Sequence, residues 1–334
     1  MTGIKNLGFG FLGHHTAEQT IELVRKAEAL GFTNAWIAED YFYAGAFSVA
    51  AVCAAHTQNI QLGIGVINPY TRHPVLSAME VASLDSISNG RAILAMGASN
   101  KRWMETDLNI PYKKPLTATA EAVQIIKQLI HDGHIAYTGE VFRAGPLSLE
   151  FEPKRRDMPV YMGVKGDKAL FKAGQVADGV LLSAGCTLEY VSYARNLIDK
   201  GAASVGRDPA EIHLAAYLPT CAMQDGDAAV ERMRPSARHY LAMHGAQPIL
   251  TCAGFTAEQV QPFRDAFFAG VECPLPVTDE MVRKIVIAGT PDECRSRMEA
   301  YIQAGVEMPI CFEIGDESDV GYTLQMVSDC FLNR

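Results

Sequence analysis

The sequence predicts a (β/α)8 TIM barrel that forms a single domain over residues 1–334. Short apolar runs alternate with helix-length segments along the whole chain, which is typical of a parallel sheet covered by helices. Eight such strand–helix units follow one another in a continuous series, and eight units close a barrel. For this reason the main alternative, an open doubly wound sheet, is set aside.

The predicted strands are apolar runs that end at glycine or polar residues, as strands do before a turn. They cover residues 4–11, 33–38, 60–67, 91–96, 159–164, 179–182, 212–221 and 309–314. The predicted helices begin at capping residues and carry apolar residues at helical spacing. They cover residues 16–31, 47–56, 75–87, 117–130, 168–176, 188–205 and 322–331, with one more beginning near Gly289.

Two longer segments interrupt the series. Residues 101–157 follow strand four and hold a helix and a predicted hairpin at 137–149, and residues 226–287 follow strand seven and are mostly helical. The loops after the strands of such a barrel form its active-site face. We therefore expect both insertions at the C-terminal face, where they would shape a substrate site.

Composition excludes several classes of protein. The net charge is −9 and the isoelectric point is about 5.5, which argues against a nucleic-acid or membrane-surface partner. No run reaches the roughly 18 apolar residues of a membrane span. The eight cysteines show no C-x-x-C pair and no zinc spacing, so they are interpreted as buried thiols of a cytoplasmic protein.

Residues 60–74 contain the most informative stretch, an apolar strand followed by a polar, proline-containing loop. Gly63 and Gly65 lie inside the strand, where glycine is unfavourable. Two interpretations remain open. The glycines mark a bulge, or the backbone comes close to a flat ligand.

The turn after strand five is a candidate phosphate site. Gly163 and Gly166 allow the backbone to bend, and Lys165 and Lys168 add positive charge. The helix that follows offers free N–H groups at its N-terminus. An ordinary tight turn is the alternative.

Polar residues at other strand ends are candidates for chemistry. Asp40 and Tyr41 follow strand two, where a carboxylate would act as an acid or orient a ring nitrogen, or simply cap a helix. Glu39 is expected to face the helices. His14 and His15 follow strand one, and as neighbours on a strand they would point to opposite faces. No metal site is predicted, because further ligands at other strand ends are missing.

The chain resembles the bacterial-luciferase-like flavin oxidoreductases over essentially its whole length. The resemblance lies in LGIGVINPYTRHP at 62–74, PVYMGVKGDKALFKAGQVADGVLL at 159–182, LGFTNAWIAED at 30–40, and IAGTPDE at 287–293 with Ala-Gly-Val at 304–306. It is strongest to the coenzyme F420-dependent branch, and to methylenetetrahydromethanopterin reductases in particular. That resemblance implies a luciferase-like barrel that transfers a hydride between F420 and a small organic substrate.

The resemblance also implies roles at matching positions. The family's non-proline cis peptide would be Gly65–Val66, behind the deazaflavin ring, and residues 163–167 would hold the cofactor phosphate. The catalytic candidates are Asp40, Tyr41 and Asn100. The cofactor-binding candidates are Asp40, Gly65, Val66, Asn68, Gly97, Ser99, Gly163, Val164, Lys165, Gly166, Asp167, Ser183 and Ala184. Trp36 and Trp103 are predicted as packing residues.

Three positions depart from the family's pattern. Tyr41 stands where related F420 enzymes often have histidine, Asn100 where they often have an acid, and Gly8-Phe9-Gly10 where the reductase has a carboxylate. FMN with a flavin reductase partner, performing monooxygenation, is therefore kept as an alternative. So is a flavin-binding barrel without catalysis, and, from another class, a metal-dependent hydrolase. The family also implies a homodimer.

Overall fold

The computed structural model describes residues 4–312 and 320–332. The strands are β1 (Gly8–Phe11), β2 (Asn34–Ile37), β3 (Gln61–Ile67), β4 (Ala92–Gly97), β5 (His134–Thr138), β6 (Arg143–Ser148), β7 (Val160–Gly163), β8 (Gly179–Leu182), β9 (His213–Ala222), β10 (Ile287–Gly289) and β11 (Met308–Phe312). The helices are α1 (Ala17–Leu30), α2 (Ala46–His56), α3 (Pro74–Ile87), α4 (Pro115–Asp132), α5 (Asp167–Val176), α6 (Leu188–Ala203), α7 (Gly226–His244), α8 (Pro248–Thr251), α9 (Ala257–Ala269), α10 (Asp279–Ile285), α11 (Pro291–Gln303) and α12 (Val320–Phe331).

Eight parallel strands close into a barrel, in the order β1, β2, β3, β4, β7, β8, β9 and β11, with β11 returning to β1. The predicted fold class is thus confirmed, and each barrel strand lies within a few residues of its predicted position. Of the predicted strand eight, residues 313 and 314 lie outside the described residues. Within the described part of the chain, no helix is both long and apolar enough to span a membrane.

Aromatic side chains fill the barrel interior. Trp36 is fully buried there beside Tyr161 and Leu181, and its indole N–H donates to Asn34 Oδ1 at 2.9 Å. A Cβ at Gly63 would lie 2.4 Å from this indole, and one at Gly65 would lie 2.8 Å from it. The glycines of β3 are therefore needed to seat Trp36, whose predicted packing role is confirmed.

The glycines of β1 are likewise explained by the side chains packed against them. Gly8, Gly10 and Gly13 carry the G-x-G-x-x-G spacing of a dinucleotide-binding turn. Gly8 and Gly10 nevertheless lie within the strand, where added Cβ atoms would meet Asn34 at 1.8 Å and Phe312 at 2.8 Å. Their spacing reflects close packing of neighbouring side chains, not a phosphate loop.

The hairpin of β5 and β6 does not lie at the C-terminal face of the barrel, where the whole first insertion was expected. It follows α4 in the chain and begins beside the C-terminal end of that helix, where Leu149 N donates to Gly133 O at 2.8 Å. Its turn then binds the carboxylate of Glu121, in the middle of α4. The hairpin thus packs along the outside of a barrel helix, and of the first insertion only residues 101–114 lie between the end of β4 and the start of α4.

Candidate active site

A cavity of about 520 Å³ lies at the C-terminal ends of the barrel strands. The strand ends line one side of it, and α7, from the second insertion, lines the other. Its lining residues are Leu12, Ala38, Glu39, Asp40, Tyr41, Gly65, Val66, Asn68, Ser99, Trp103, Ser183, Ala184, Tyr217, Ser236, His239, Tyr240 and Phe312. Eight of the predicted site residues therefore line this cavity: Asp40, Tyr41, Gly65, Val66, Asn68, Ser99, Ser183 and Ala184.

Val66 is held between two glycine strand ends. The Gly65–Val66 peptide bond is cis, as the resemblance implies, and a second non-proline cis bond joins Tyr41 to Phe42. A Cβ at Gly97 would lie 2.7 Å from the Val66 side chain, and one at Gly163 would lie 2.5 Å from it. Neither glycine lines the cavity, so their contribution is to make room for Val66.

Asp40 contributes a carboxylate to the cavity lining. Gly13 N donates to Asp40 Oδ2 at 3.4 Å. Burial raises the pKa of the Asp40 carboxyl above its ordinary value, against the opposing effects of this N–H group and of His14 nearby. Glu39 faces the helices as expected, since its carboxylate accepts from Ala46 N, the first residue of α2, at 2.6 Å; it also borders the cavity.

Tyr41 and Asn68 join the loops after β2 and β3. The Asn68 side-chain oxygen accepts from Tyr70 N at 2.9 Å and from Thr71 N at 3.0 Å, and its amide donates to the Tyr41 hydroxyl. That hydroxyl also lies 3.3 Å from Thr71 Oγ1. Burial raises the pKa of Tyr41, so this phenol is a neutral group at the cavity wall.

Ser99 and Asn100 follow β4 but differ in position. Ser99 lines the cavity, and its buried Oγ has no hydrogen-bond partner among the described residues. Asn100 is exposed and outside the lining, and its side-chain oxygen accepts from Trp103 N at 3.0 Å. The geometry thus gives Asn100 a capping contact, and its catalytic role stays a prediction without structural support.

The turn from β7 to α5 contains the remaining predicted residues, Val164 to Asp167. Gly166 is the N-cap of α5 and has no side chain with which to cap the first N–H groups of the helix. Lys165 turns inward. Its ammonium lies 3.4 Å from His244 Nδ1, and its carbonyl accepts from the Tyr190 hydroxyl at 2.6 Å.

Lys165 is an unusual cation because it is largely removed from water. Burial, with a smaller contribution from Arg264, lowers the pKa of Lys165 to about 8. Burial likewise lowers the pKa of His244 to about 3, so its ring is neutral. The His244 Nε2–H therefore donates to Ala184 O at 2.9 Å, and Nδ1 accepts from Lys165.

The sequence interpretation missed the far wall of the cavity. Tyr217 on β9 donates to Gly65 O at 3.3 Å across the barrel, and burial raises its pKa. Ser236, His239 and Tyr240 lie on one face of α7, and burial lowers the pKa of His239. Their i, i+3, i+4 spacing, which places three polar or aromatic side chains on one face of a helix, is the sequence pattern that could have identified them. Trp103 packs edge to face against Tyr41, with ring centroids 5.3 Å apart, and it also lines the cavity, which the sequence interpretation did not anticipate.

No metal centre is formed in the described residues, which contain no group of three or more His, Cys, Asp or Glu side chains that would hold an ion. The expectation that His14 and His15 face apart is wrong. Strand β1 ends at Phe11, so the two residues lie in a turn and their rings are 4.1 Å apart.

A second cleft, of about 620 Å³, lies away from the mouth between α4 and α5. Its polar groups bind one another or helix ends. Lys127 pairs with Asp178, and the Arg207 guanidinium donates to Ala177 O at 2.8 Å. None of the predicted site residues lines this cleft, so the cavity at the strand ends is the candidate active site.

Comparison with known proteins shows the family of the chain. Residues 5–308 match the family described as luciferase-like monooxygenase. The 5,10-methylenetetrahydromethanopterin reductase of Methanolobus tindarius is 33% identical over 90% of this chain and 91% of its own length. The enzyme of that name from Archaeoglobus fulgidus is 34% identical over 85% and 86%. The structure of the coenzyme F420 dependent tetrahydromethanopterin reductase from Methanopyrus kandleri superimposes with a TM-score of 0.82, at 28% identity, covering 99% of this chain and 100% of that one.

Proposed function

Because the chain belongs to the luciferase-like monooxygenase family, we propose that it is an oxidoreductase of the F420-dependent branch. It would transfer a hydride between coenzyme F420 and a small organic substrate, as the names of its reductase relatives suggest. The observation that carries the proposal is the cavity wall at the end of β3, where Gly65 and Val66 line the cavity and the glycines at 97 and 163 make room for the Val66 side chain.

The residues present fit a flat ring placed against this wall. Gly65 and Val66 provide an edge without long side chains, and the unpartnered Ser99 Oγ provides a hydrogen-bonding group beside it. A deazaflavin supplies a hydride from its ring when bound. The protein's contribution is to hold that ring, to exclude water from it, and to position the substrate.

Asp40 and Tyr41 are the residues that we assign to proton handling. Both line the cavity, and burial raises the pKa of each. A carboxyl with a raised pKa holds a proton more readily than an exposed one, which suits a group that donates to a substrate atom. Asn68 would orient the Tyr41 hydroxyl through its hydrogen bond.

The cofactor phosphate would lie at the turn from β7 to α5. The first N–H groups of α5 and the ammonium of Lys165 provide the charge that a phosphate needs. Ser183 and Ala184, at the end of β8, would flank the cofactor tail next to this turn.

The first experiment is a titration of the purified protein with F420 and with FMN, followed by absorbance and by quenching of cofactor fluorescence. We expect saturable binding of F420 in the micromolar range that is typical of such enzymes. Tight binding of FMN with no binding of F420 would replace the proposal with its alternative, a monooxygenase served by a flavin reductase.

A second measurement addresses the alternative without catalysis. The bound cofactor is reduced and then mixed with a panel of small acceptors in the absence of oxygen. Reoxidation by an acceptor supports the enzyme. A cofactor that no acceptor reoxidises favours a flavin-binding barrel that acts as a carrier or sensor.

We also infer that two copies of the chain form a homodimer in the cytoplasm. Helices α2 and α3 are neighbours, and they expose the large apolar side chains Val52, Leu76, Met79 and Ile87. Scattered apolar residues are normal on a surface, but a group on adjacent helices is typical of an interface.

A further inference from the structure

A buried histidine of α7 connects the second insertion to two loops at the strand ends. His244 is 2% exposed. Its Nδ1 lies 3.4 Å from the Lys165 ammonium, in the turn after β7, and its Nε2–H donates to Ala184 O, after β8, at 2.9 Å. The ring thus joins the two loops to which the proposed function gives the cofactor phosphate and tail.

The orientation of this ring is fixed by its surroundings. It lies nearly parallel to the ring of Tyr240, one turn earlier on α7, with 14° between the ring planes. Tyr240 in turn packs against Gly185, where a Cβ would lie 2.7 Å from its side chain. Because burial lowers the pKa of His244 to about 3, the ring is neutral and carries one proton. With that proton directed to Ala184 O, the lone pair of Nδ1 faces Lys165.

Lys165 is held at both ends, yet its charge is not neutralised. Its carbonyl accepts from the Tyr190 hydroxyl at 2.6 Å, and its ammonium donates to His244. In the part of the chain that the structure describes, no carboxylate pairs with this ammonium, and the charged neighbour that contributes to lowering its pKa is another cation, Arg264. Buried lysines are usually paired with an acid. An ammonium has three N–H groups, so two remain available to an anion.

We propose that His244 is a positioning residue for the cofactor phosphate: its Nδ1 accepts one N–H of the Lys165 ammonium and leaves the other two for a phosphate at the N-terminus of α5. This inference rests on the proposed function, which gives the phosphate to this turn. A lysine that is already fixed loses less side-chain entropy when it binds an anion. A carboxylate in place of the ring would hold the ammonium equally well but would cancel its charge, so a neutral acceptor suits the role.

Two amide variants separate the two nitrogens of the ring. An asparagine side chain places its oxygen near the position of Nδ1, whereas a glutamine side chain reaches the position of Nε2. His244→Asn should therefore keep the acceptor for Lys165, and His244→Gln should keep only the contact with Ala184. For each protein, fluorescence titrations at pH 7 measure the affinity for F420 and for the corresponding deazaflavin that lacks the phosphate and tail.

The ratio of these two affinities reports what the phosphate end contributes. We expect His244→Gln to lower the ratio by about tenfold, and His244→Asn to leave it within about twofold of that of the unmodified protein. An unchanged ratio in His244→Gln, or equal losses of the ratio in both variants, overturns the proposal. A merely structural role would weaken both ligands together and leave the ratio unchanged. His134→Gln, at an exposed histidine of the hairpin, is the control and should change neither affinity.

Lys165→Met tests whether His244 acts through the lysine. In this background His244→Gln should lower the ratio no further, which a double-mutant cycle measures. A further loss of the same size as in the unmodified background contradicts the proposal.

Nuclear magnetic resonance keeps the proposal testable should the variants at position 244 not fold. The protein is isotopically labelled in its histidine rings, and the ring-nitrogen resonance that changes in Lys165→Met is identified. In the unmodified protein this resonance should shift when F420 binds and stay in place when the phosphate-free deazaflavin binds. Absence of such a resonance overturns the proposal.

FMN and riboflavin distinguish failure of this inference from failure of the proposed function, because they differ in the phosphate alone. Binding of FMN without binding of F420 would overturn the proposed cofactor, and the ratio for FMN and riboflavin would then test His244 with the same variants and the same expected results. Equal affinities for F420 and the phosphate-free deazaflavin would overturn this inference while the proposed function stands. Binding of neither pair would remove both.

Discussion

At the scale of single residues, the cavity wall at Val66 depends on two glycines, which have no side chain. Gly97 and Gly163 end neighbouring strands, and the Val66 side chain occupies the space that their Cβ atoms would take. The position of the Val66 side chain in this wall is therefore set by the two glycines. A mutation at either glycine acts on the cavity through Val66.

We expect Gly163→Ala to weaken F420 binding by about tenfold or more, because a methyl group 2.5 Å from Val66 must push that side chain toward the cavity. Val66→Ala in the same chain should recover most of the loss. The F420 affinities of the unmodified protein, the two single mutants and the double mutant are measured by fluorescence titration, which completes a double-mutant cycle. Gly145→Ala is the control, since nothing lies within 4 Å of that position. Equal losses in the single and double mutants would show that Val66 does not transmit the effect.

Lys165 makes cofactor binding sensitive to pH. Its pKa is lowered to about 8, so its ammonium is charged at pH 7 and loses its proton as the pH rises through 8. A charged ammonium attracts a phosphate and a neutral amine does not, so F420 affinity should fall several-fold between pH 7 and pH 9. Lys165→Arg should remove this dependence, and Lys165→Met should bind weakly at every pH. A flat profile for the unmodified protein argues against Lys165 as a phosphate ligand.

At the scale of elements, the hairpin of β5 and β6 is attached to α4 by one carboxylate. Glu121 is buried, and it accepts from the backbone N–H groups of Glu140 at 2.6 Å, Val141 at 3.0 Å and Phe142 at 2.8 Å. A side chain at Gly139 would collide with it at 2.4 Å. The hairpin turn is thus built around an acidic group that belongs to the helix.

Glu121→Gln should lower the free energy of unfolding by about 1–3 kcal/mol, because it weakens charge-assisted hydrogen bonds to buried N–H groups. Hydrogen exchange at residues 134–148 should accelerate, while F420 affinity stays the same. Glu152→Gln provides the control, since Glu152 is exposed and pairs with Arg156 on the surface. A loss of cofactor binding in Glu121→Gln would mean that the hairpin reaches the active site after all.

Sequence patterns predicted elements far better than they predicted the neighbours of those elements. The barrel strands are apolar runs, and a local pattern of this kind determines a strand wherever it lies. The hairpin was also predicted, but its place beside α4 depends on the pairing of Glu121 with a turn about 20 residues away. Ser236, His239 and Tyr240 were missed because nothing local shows which face of α7 meets the barrel. The cis bond at Gly65–Val66 followed from family resemblance alone.

At the scale of the molecule, the two ends of the barrel have different tasks. Near the strand starts, Glu28 accepts three backbone N–H groups of residues 58–60, and Arg91 donates to the carbonyls of Ala54, Thr57 and Ile60. The strand ends hold the cavity with its unpartnered hydroxyl. This division, with stability at one end and chemistry at the other, is common to such barrels.

Replacing Leu76 and Met79 together by glutamate should convert the proposed dimer to a monomer, because both side chains are more than 40% exposed on α3 and charges there would be buried at the interface. Size-exclusion chromatography with light scattering measures the mass. Val205→Glu, at an exposed apolar position after α6, should leave the mass unchanged. A native protein that already runs as a monomer would remove the dimer proposal.

The position of Trp36 sets the route by which molecules reach the cavity. Its indole fills the barrel interior against Gly63 and Gly65, directly behind the wall of the cavity. The interior is therefore no passage, and the mouth serves as both entrance and exit. A cofactor seated against Gly65 and Val66, as proposed, would therefore enter and leave through the mouth, past the residues of α7 that line the cavity.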